Sequence, residues 1–229
     1  MKKSIVQLVT LSLFVMIFAF SGMNGLFSQT TGLFFSEYGE GSSNNKYLEI
    51  YNATANNINL SDYNILTNYN GNPWSGMHSF PAGAVLAPGD VWVIANDAAD
   101  PVILAQADEV HAWNASGYLM AFNGDDVRAL VYITPTDTTI LDIIGLYNLI
   151  DPGAGWPVAG VANGTSEHTL VRKSSVCSGN PDWNASAGTD SLNSEWMVYP
   201  QDTWTYLGVH IGCTAGTTGL FFSEYGEGS

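Results

Sequence analysis

Beyond residue 30, apolar and polar positions alternate in short runs, and helical periodicity is hard to find. These runs predict strands at 33–38, 47–52, 63–67, 91–95, 109–113, 129–134, 140–144, 168–172 and 205–209. Turn residues punctuate them: Gly39-Glu40-Gly41, Asn70-Gly71-Asn72-Pro73, Ala87-Pro88-Gly89-Asp90, Asn123-Gly124-Asp125-Asp126 and Asp151-Pro152-Gly153. Asn123-Gly124-Asp125-Asp126 suits a tight hairpin, because Asn and Gly tolerate positive φ. In the fourth run Val91, Val93 and Ala95 share one face, and Trp92 and Ile94 share the other. One short helix is expected within 97–107, with Pro101 near its start. About nine strands in about 180 residues predict an all-β fold, an immunoglobulin-like β-sandwich of two sheets.

Two segments stand apart from this pattern. Residues 1–28 read as a signal peptide, a predicted helix preceding the sandwich. Lys2 and Lys3 supply the basic start, and the 16 residues from Ile5 to Phe20 supply the apolar stretch. As a helix that stretch rises about 24 Å, short of the roughly 30 Å hydrocarbon core, so a cleaved signal is expected over a retained anchor. The expected location is secreted or cell-surface, by a bacterial Sec route, with no membrane attachment after cleavage near Ser28. The second segment is a repeat: TTGLFFSEYGEGS at 30–42 recurs without change at 217–229, offset by 187 residues. A tandem array explains it. The expected organisation is one complete unit at 29–212, then a linker and the first strand of a truncated second repeat at 213–229.

A set of ordered motifs resembles the bacterial lamin tail domain family. It begins with LFFSEYGEGSSNNKYLEIYN (33–52), NLSDYNI (59–65), LAPGDVWVIAN (86–96) and NGDDVRAL (123–130). It continues with DIIGLYNLIDPGAGW (142–156), EHTLVRKSSV (167–176) and SEWMVYPQDTWTYLGVH (194–210). The order of the set, more than any one motif, carries the likeness, which covers about 180 residues. The resemblance implies an immunoglobulin-like module without catalytic activity. Such modules occur in tandem on surface proteins or beside secreted nucleases and phosphatases. Nuclear members of the family are associated with chromatin, but here the composition departs from that use. The chain has 21 acidic residues against six Lys and Arg, a formal charge of −15. Without Lys2 and Lys3 only Lys46, Arg128, Arg172 and Lys173 remain. Four cations in so acidic a field cannot neutralise phosphates, which excludes unaided binding to nucleic acid or anionic lipid.

Candidate chemistry is sparse. No nucleophile elbow, metalloprotease helix or phosphate-binding loop is present, so no enzyme activity and no cofactor are expected within the chain. Glu37, Glu40, Lys46 and Glu49 read as a charge network fixing the first hairpin, with Lys46 between acids. Asp125 and Asp126 are the best candidates for Ca²⁺, but no loop supplies the six to eight oxygen ligands calcium takes, and a solvated turn is expected. Arg172 is expected to pair with a partly buried acid, either Asp125 or Asp142. His78, His111, His168 and His210 show no metal-ligand spacing. Trp74 and Trp113 are the candidates for stacking on a glycan, since sugar C–H faces suit aromatic faces. Cys177 and Cys213, the only cysteines, form a bridge or stay as two thiols, and export favours the bridge. The expected role is an adhesion, binding or spacer repeat of an exported multidomain protein. Its partners would be a surface glycan or protein and neighbouring repeats. The alternative is an accessory module of a secreted hydrolase whose catalytic domain lies outside this chain.

Overall fold

The computed structural model describes residues 32–212. The predicted leader, the second repeat unit and Cys213 lie outside the described residues. In chain order the strands are β1 (Leu33–Glu40), β2 (Lys46–Asn52), β3 (Ile58–Asn59), β4 (Tyr63–Thr67), β5 (Gly76–Ser79), β6 (Val85–Leu86), β7 (Val91–Asn96), β8 (Glu109–His111), β9 (Arg128–Ile133), β10 (Thr138–Ile144), β11 (His168–Arg172) and β12 (Trp196–Pro200). Two short helices, α1 (Pro101–Leu104) and α2 (Trp183–Ala187), interrupt them. The strands form an immunoglobulin-like sandwich. One sheet runs β12-β11-β1-β2-β7-β8 and the other β10-β9-β4-β5, with β3 and β6 as a small separate pair. All pairings are antiparallel except β7 with β8.

The six-stranded sheet is buried on both faces, which explains why β1 shows no exposed position along its eight residues. Leu33, Phe35, Tyr38, Leu48, Ile50, Ile94 and Leu170 face the other sheet and join its Ile65, Ala129, Leu130, Val131 and Ile143 in one core. The opposite face carries Tyr47, Val93 and Ala95, covered by Ile103 of α1 and by Leu207. The alternation expected in β7 is therefore real, but both of its faces are occupied.

Several expectations change on folding. Residues 205–208 form a turn and Val209 is irregular, so the strand expected at 205–209 is absent. Gly208 has φ +90, which breaks an extended backbone, and its N–H donates to the Glu49 carboxylate (2.7 Å) instead of to a ladder. The segment lies across the sheet as a cover. The last strand is instead β12, which pairs with β11 from His168↔Pro200 to Arg172↔Trp196. Asn123-Gly124-Asp125-Asp126 is no hairpin, because the strand before it, β8, belongs to one sheet and the strand after it, β9, to the other. The helix expected within 97–107 shrinks to α1, capped by Asp100, whose side chain accepts from the Val102 N–H (2.9 Å).

Arg172 chooses Asp142. Both are fully buried, one on β11 and the other on β10, so the ion pair joins the two sheets through the core. A register shift between Ile140 and Asp142 in β10 aims the carboxylate inward. There it also accepts from the N–H groups of Phe35 (2.8 Å) and Asn180 (3.0 Å). The guanidinium donates further to Glu195 (2.6 Å), Ser186 (2.8 Å) and the Phe35 carbonyl (3.1 Å), and lies 3.9 Å from the Trp196 ring centroid.

The charge network of the first hairpin also divides. Lys46 pairs with Glu40 and donates to the Gly41 carbonyl (2.9 Å). Glu37 and Glu49 are directly opposite each other on β1 and β2 and have no Lys46 contact. Glu37 accepts from the Tyr47 hydroxyl (2.5 Å), and Glu49 from Ser36 (2.7 Å) and Gly208. Alternation along β2 puts Glu49 on the covered face with Tyr47, and a bulge between Phe35 and Glu37 brings Glu37 to the same face.

Candidate functional site

Residues 112–127 carry the chain from β8 in one sheet to β9 in the other, and they build one wall of a surface cleft. Ser116, Gly117 and Tyr118 all have positive φ (48, 67 and 60). Gly117 packs its backbone directly on that of Gly76, so that a Cβ on Gly117 would stand 2.8 Å from the Gly76 Cα. Its carbonyl accepts from Thr67 Oγ1 (2.8 Å) and from the Tyr69 hydroxyl (2.6 Å). Behind the loop lies Arg128, fully buried and bonded to the carbonyls of Leu119 (2.9 Å), Tyr118 (3.2 Å), Asn68 (3.3 Å) and Val127 (2.9 Å). Its guanidinium also faces the rings of Tyr69 and Phe122. A buried cation satisfied by carbonyls fixes the backbone that presents the loop's side chains. Gly117→Ala is expected to destabilise the protein by more than about 1 kcal/mol in urea titrations, from positive φ and the contact with Gly76 together.

The loop's outer side chains meet those of residues 69–70 around a cleft of about 440 Å³. Trp113 is 58% exposed and Tyr118 44% exposed. Their rings lie 5.7 Å apart, and Tyr69 meets Tyr118 edge-on at 5.6 Å. Asn70, Asn123 and Asp126 supply the polar lining. Trp113 thus stands at a concave aromatic surface, whereas Trp74 does not. Trp74 is half-buried and stacked flat on Tyr147, at 4.0 Å and 7°, with the core behind it.

Asp125 and Asp126 are buried, not in a solvated turn. The Asn70 side-chain amide donates to Asp125 (3.0 Å) and the Asn70 backbone N–H to Asp126 (3.1 Å). Turned with its nitrogen inward, the Asn123 amide donates to both carboxylates. Burial pushes the Asp126 carboxyl up to about 6, with Arg128 pulling it down and Asp125 adding to the rise. Burial likewise raises Asp125. The pair is surrounded by N–H donors instead of the oxygen ligands calcium requires.

The remaining candidates scatter. Cys177 is not a free cysteine, and its expected partner, Cys213, lies outside the described residues. His168 sits on β11 with Nδ1 against the Ser166 carbonyl (2.6 Å). His210 lies over Phe34 and Tyr51 on the covered sheet face, where burial first, and Arg172 second, lower it to about 4. A second cavity, of about 560 Å³, runs beneath this segment past Val171, Met197 and Ile211 to the end of the described chain. His78 and His111, without any metal spacing in the sequence, meet at Glu109 between the edges of the two sheets. Tyr69 and Tyr118 were not legible as cleft residues, since only the folded loop brings them to Trp113.

The family model of the Lamin Tail Domain matches residues 27–147, a span that holds the whole cleft. The later motifs at 167–176 and 194–210 lie beyond that span. No curated protein matches the chain. Among solved structures, a DUF4876 family protein from Bacteroides thetaiotaomicron is similar, with 14% identity and a TM-score of 0.45, over 81% of this chain and 70% of that one.

Proposed function

Since this chain belongs to the lamin tail domain family, we propose that it acts as a non-catalytic binding module, exported to a bacterial surface in tandem copies, that holds a neutral saccharide at Trp113. The observation that carries the reading is the exposed Trp113 and Tyr118 beside Asn70, Asn123 and Asp126 in one rigidly backed cleft. Aromatic faces suit the C–H faces of a sugar ring, and fixed amide and carboxyl groups suit its hydroxyls. Glycoside cleavage commonly needs two carboxyls flanking the bond, and the lining contributes one, Asp126.

Charge favours a neutral ligand. Among the described residues Arg128 and Arg172 are fully buried, Lys46 is paired with Glu40, and Lys173 donates to the Ser191 carbonyl (2.8 Å). None of these cations lines the cleft, so nothing there offers a positive charge to a phosphate or sulfate. Export is supported by Lys2, Lys3 and the apolar stretch behind them, and the tandem arrangement by the recurrence of residues 30–42 at 217–229.

The test is retention of the full chain on insoluble neutral polysaccharides such as cellulose, chitin and α-glucan. At least one is expected to retain it. Trp113→Ala should weaken that retention by about 10-fold or more, as truncation of a central aromatic anchor does. Retention on none of them, or unchanged retention of Trp113→Ala, would discard the reading.

A further inference from the structure

The open side of the sandwich holds a cluster that the saccharide cleft does not use. Glu109 and His111 are two residues apart on β8, so their side chains share a face. β8 is the edge of the six-stranded sheet, and β5, which carries His78, is the edge of the four-stranded one. Glu109 Oε2 lies 3.3 Å from His78 Nε2 and 3.1 Å from His111 Nε2, and the three donor atoms all fall within 4.8 Å of one another. Among the described residues no other group of His, Cys, Asp and Glu converges in this way.

Each donor is oriented from behind. The Trp92 indole N–H donates to Glu109 Oε1 (2.7 Å), which leaves Oε2 turned to the histidines. Ser116 Oγ lies 3.1 Å from His111 Nδ1, which leaves Nε2 turned to the same point. His78 is 3% exposed, and its Nε2, though 3.3 Å from Glu109 Oε2, is buried there without a well-aligned hydrogen bond. A single proton shared between His111 and Glu109 would leave that nitrogen orphaned, at the cost of a desolvated polar atom. One divalent cation satisfies all three donors at once.

From this we propose that His78, Glu109 and His111 form a transition-metal site of the zinc type, which clips the edge strands of the two sheets together. Bonds of about 2.1 Å in a tetrahedron place donor atoms about 3.4 Å apart, close to the two separations to Glu109. Two imidazoles and one carboxylate select zinc and its neighbours over calcium or magnesium. The oriented outer atoms of Trp92 and Ser116 are the second layer such sites need. His111, whose side chain is 21% exposed, marks the side from which the ion and a fourth, exchangeable ligand enter.

The experiment titrates zinc chloride into the chelator-stripped full chain by calorimetry, with bound zinc counted by elemental analysis. One saturable equivalent is expected, with a rise in Tm. His111→Ala and Glu109→Gln should each weaken it by more than about 100-fold, and Ser116→Ala by about 10- to 100-fold. His168→Ala, outside the cluster, should leave it unchanged. His111 is the most exposed of the three, so its variant is the one least tied to folding, and circular dichroism of the metal-free variant checks that it folds. No saturable zinc uptake, or uptake unchanged in both His111→Ala and Glu109→Gln, would overturn the proposal and leave a cluster held by hydrogen bonds alone.

Discussion

Arg172→Ala is expected to lower the unfolding free energy by about 3–5 kcal/mol, the usual result of removing one member of a buried ion pair. The substitution strands Asp142, which is fully buried and has no other cation paired with it among the described residues. It also removes the donor to Glu195, to Ser186 and to the Phe35 carbonyl, and withdraws the group stacked over Trp196. These losses fall on both sheets together, because Arg172 belongs to β11 and Asp142 to β10. Urea unfolding followed by tryptophan fluorescence measures it. A loss under about 1 kcal/mol, the scale of an exposed pair, would show that the bridge is solvated. Lys46→Ala serves as a contrast, since its pair with Glu40 closes a hairpin and does not join the two sheets.

Stability should fall by about 2–3 kcal/mol as the pH rises from 6.5 to 9. The source is the facing pair on the covered sheet surface. Burial pushes Glu37 up to about 8, with the Glu49 charge adding to the rise and the Tyr47 hydroxyl opposing it. Burial pushes Glu49 up to about 7 against the hydrogen bonds from Ser36 and Gly208. An unfolded glutamate titrates near 4.5. Above pH 6.5 the unfolded chain has therefore already released these protons, while the folded chain still holds them. The contribution is complete below 4.5 and is lost as the pH climbs through the two folded values. His210 acts in the opposite sense at lower pH. Its value falls from 6.5 to about 4, so its contribution is present above 6.5 and lost on acidification through that window. Thermal unfolding at pH 6.5 and 9 reads the difference, and Glu37→Gln should flatten most of it. A Tm that climbs across this range would show the pair to be ionised and solvated.

The architecture was legible along several of the longer alternating runs, though not in β12, whose five residues were not predicted as a strand. The bounds of β4 and β11 match the periodicity residue for residue, and β7 divides its side chains between two faces as the pattern requires. It was not legible where strands are two to four residues long, as in β3, β5 and β6, because so short a run has no period. Residues 205–209 alternate like a strand, yet Gly208 at positive φ makes them a cover. In sequence Glu37 and Glu49 group with Lys46, yet alternation along β1 and β2 puts both, three residues from Glu40 and Lys46, on the opposite face of the sheet.

The site was half legible for a related reason. Trp113 is visible as an aromatic at the end of the run 109–113, but its partners come from two separate connections, Tyr69 after β4 and Tyr118 after β8. Trp74 follows a turn and reads as the equal candidate, and its stack on Tyr147 is what removes it. Asp125 and Asp126 look like a solvated turn until Asn70 closes over them. His78 and His111 carry no mutual spacing because they belong to edge strands of different sheets.

The most direct measurement records the tryptophan indole N–H resonances of the full chain while an oligosaccharide, cut from whichever neutral polysaccharide retains the protein, is added. The indole signal that disappears in Trp113→Ala should shift saturably, while those of the buried Trp183 and Trp196 stay in place. A Trp113 signal that does not move at saturating ligand, or shifts confined to other tryptophans, would contradict the assignment of this cleft.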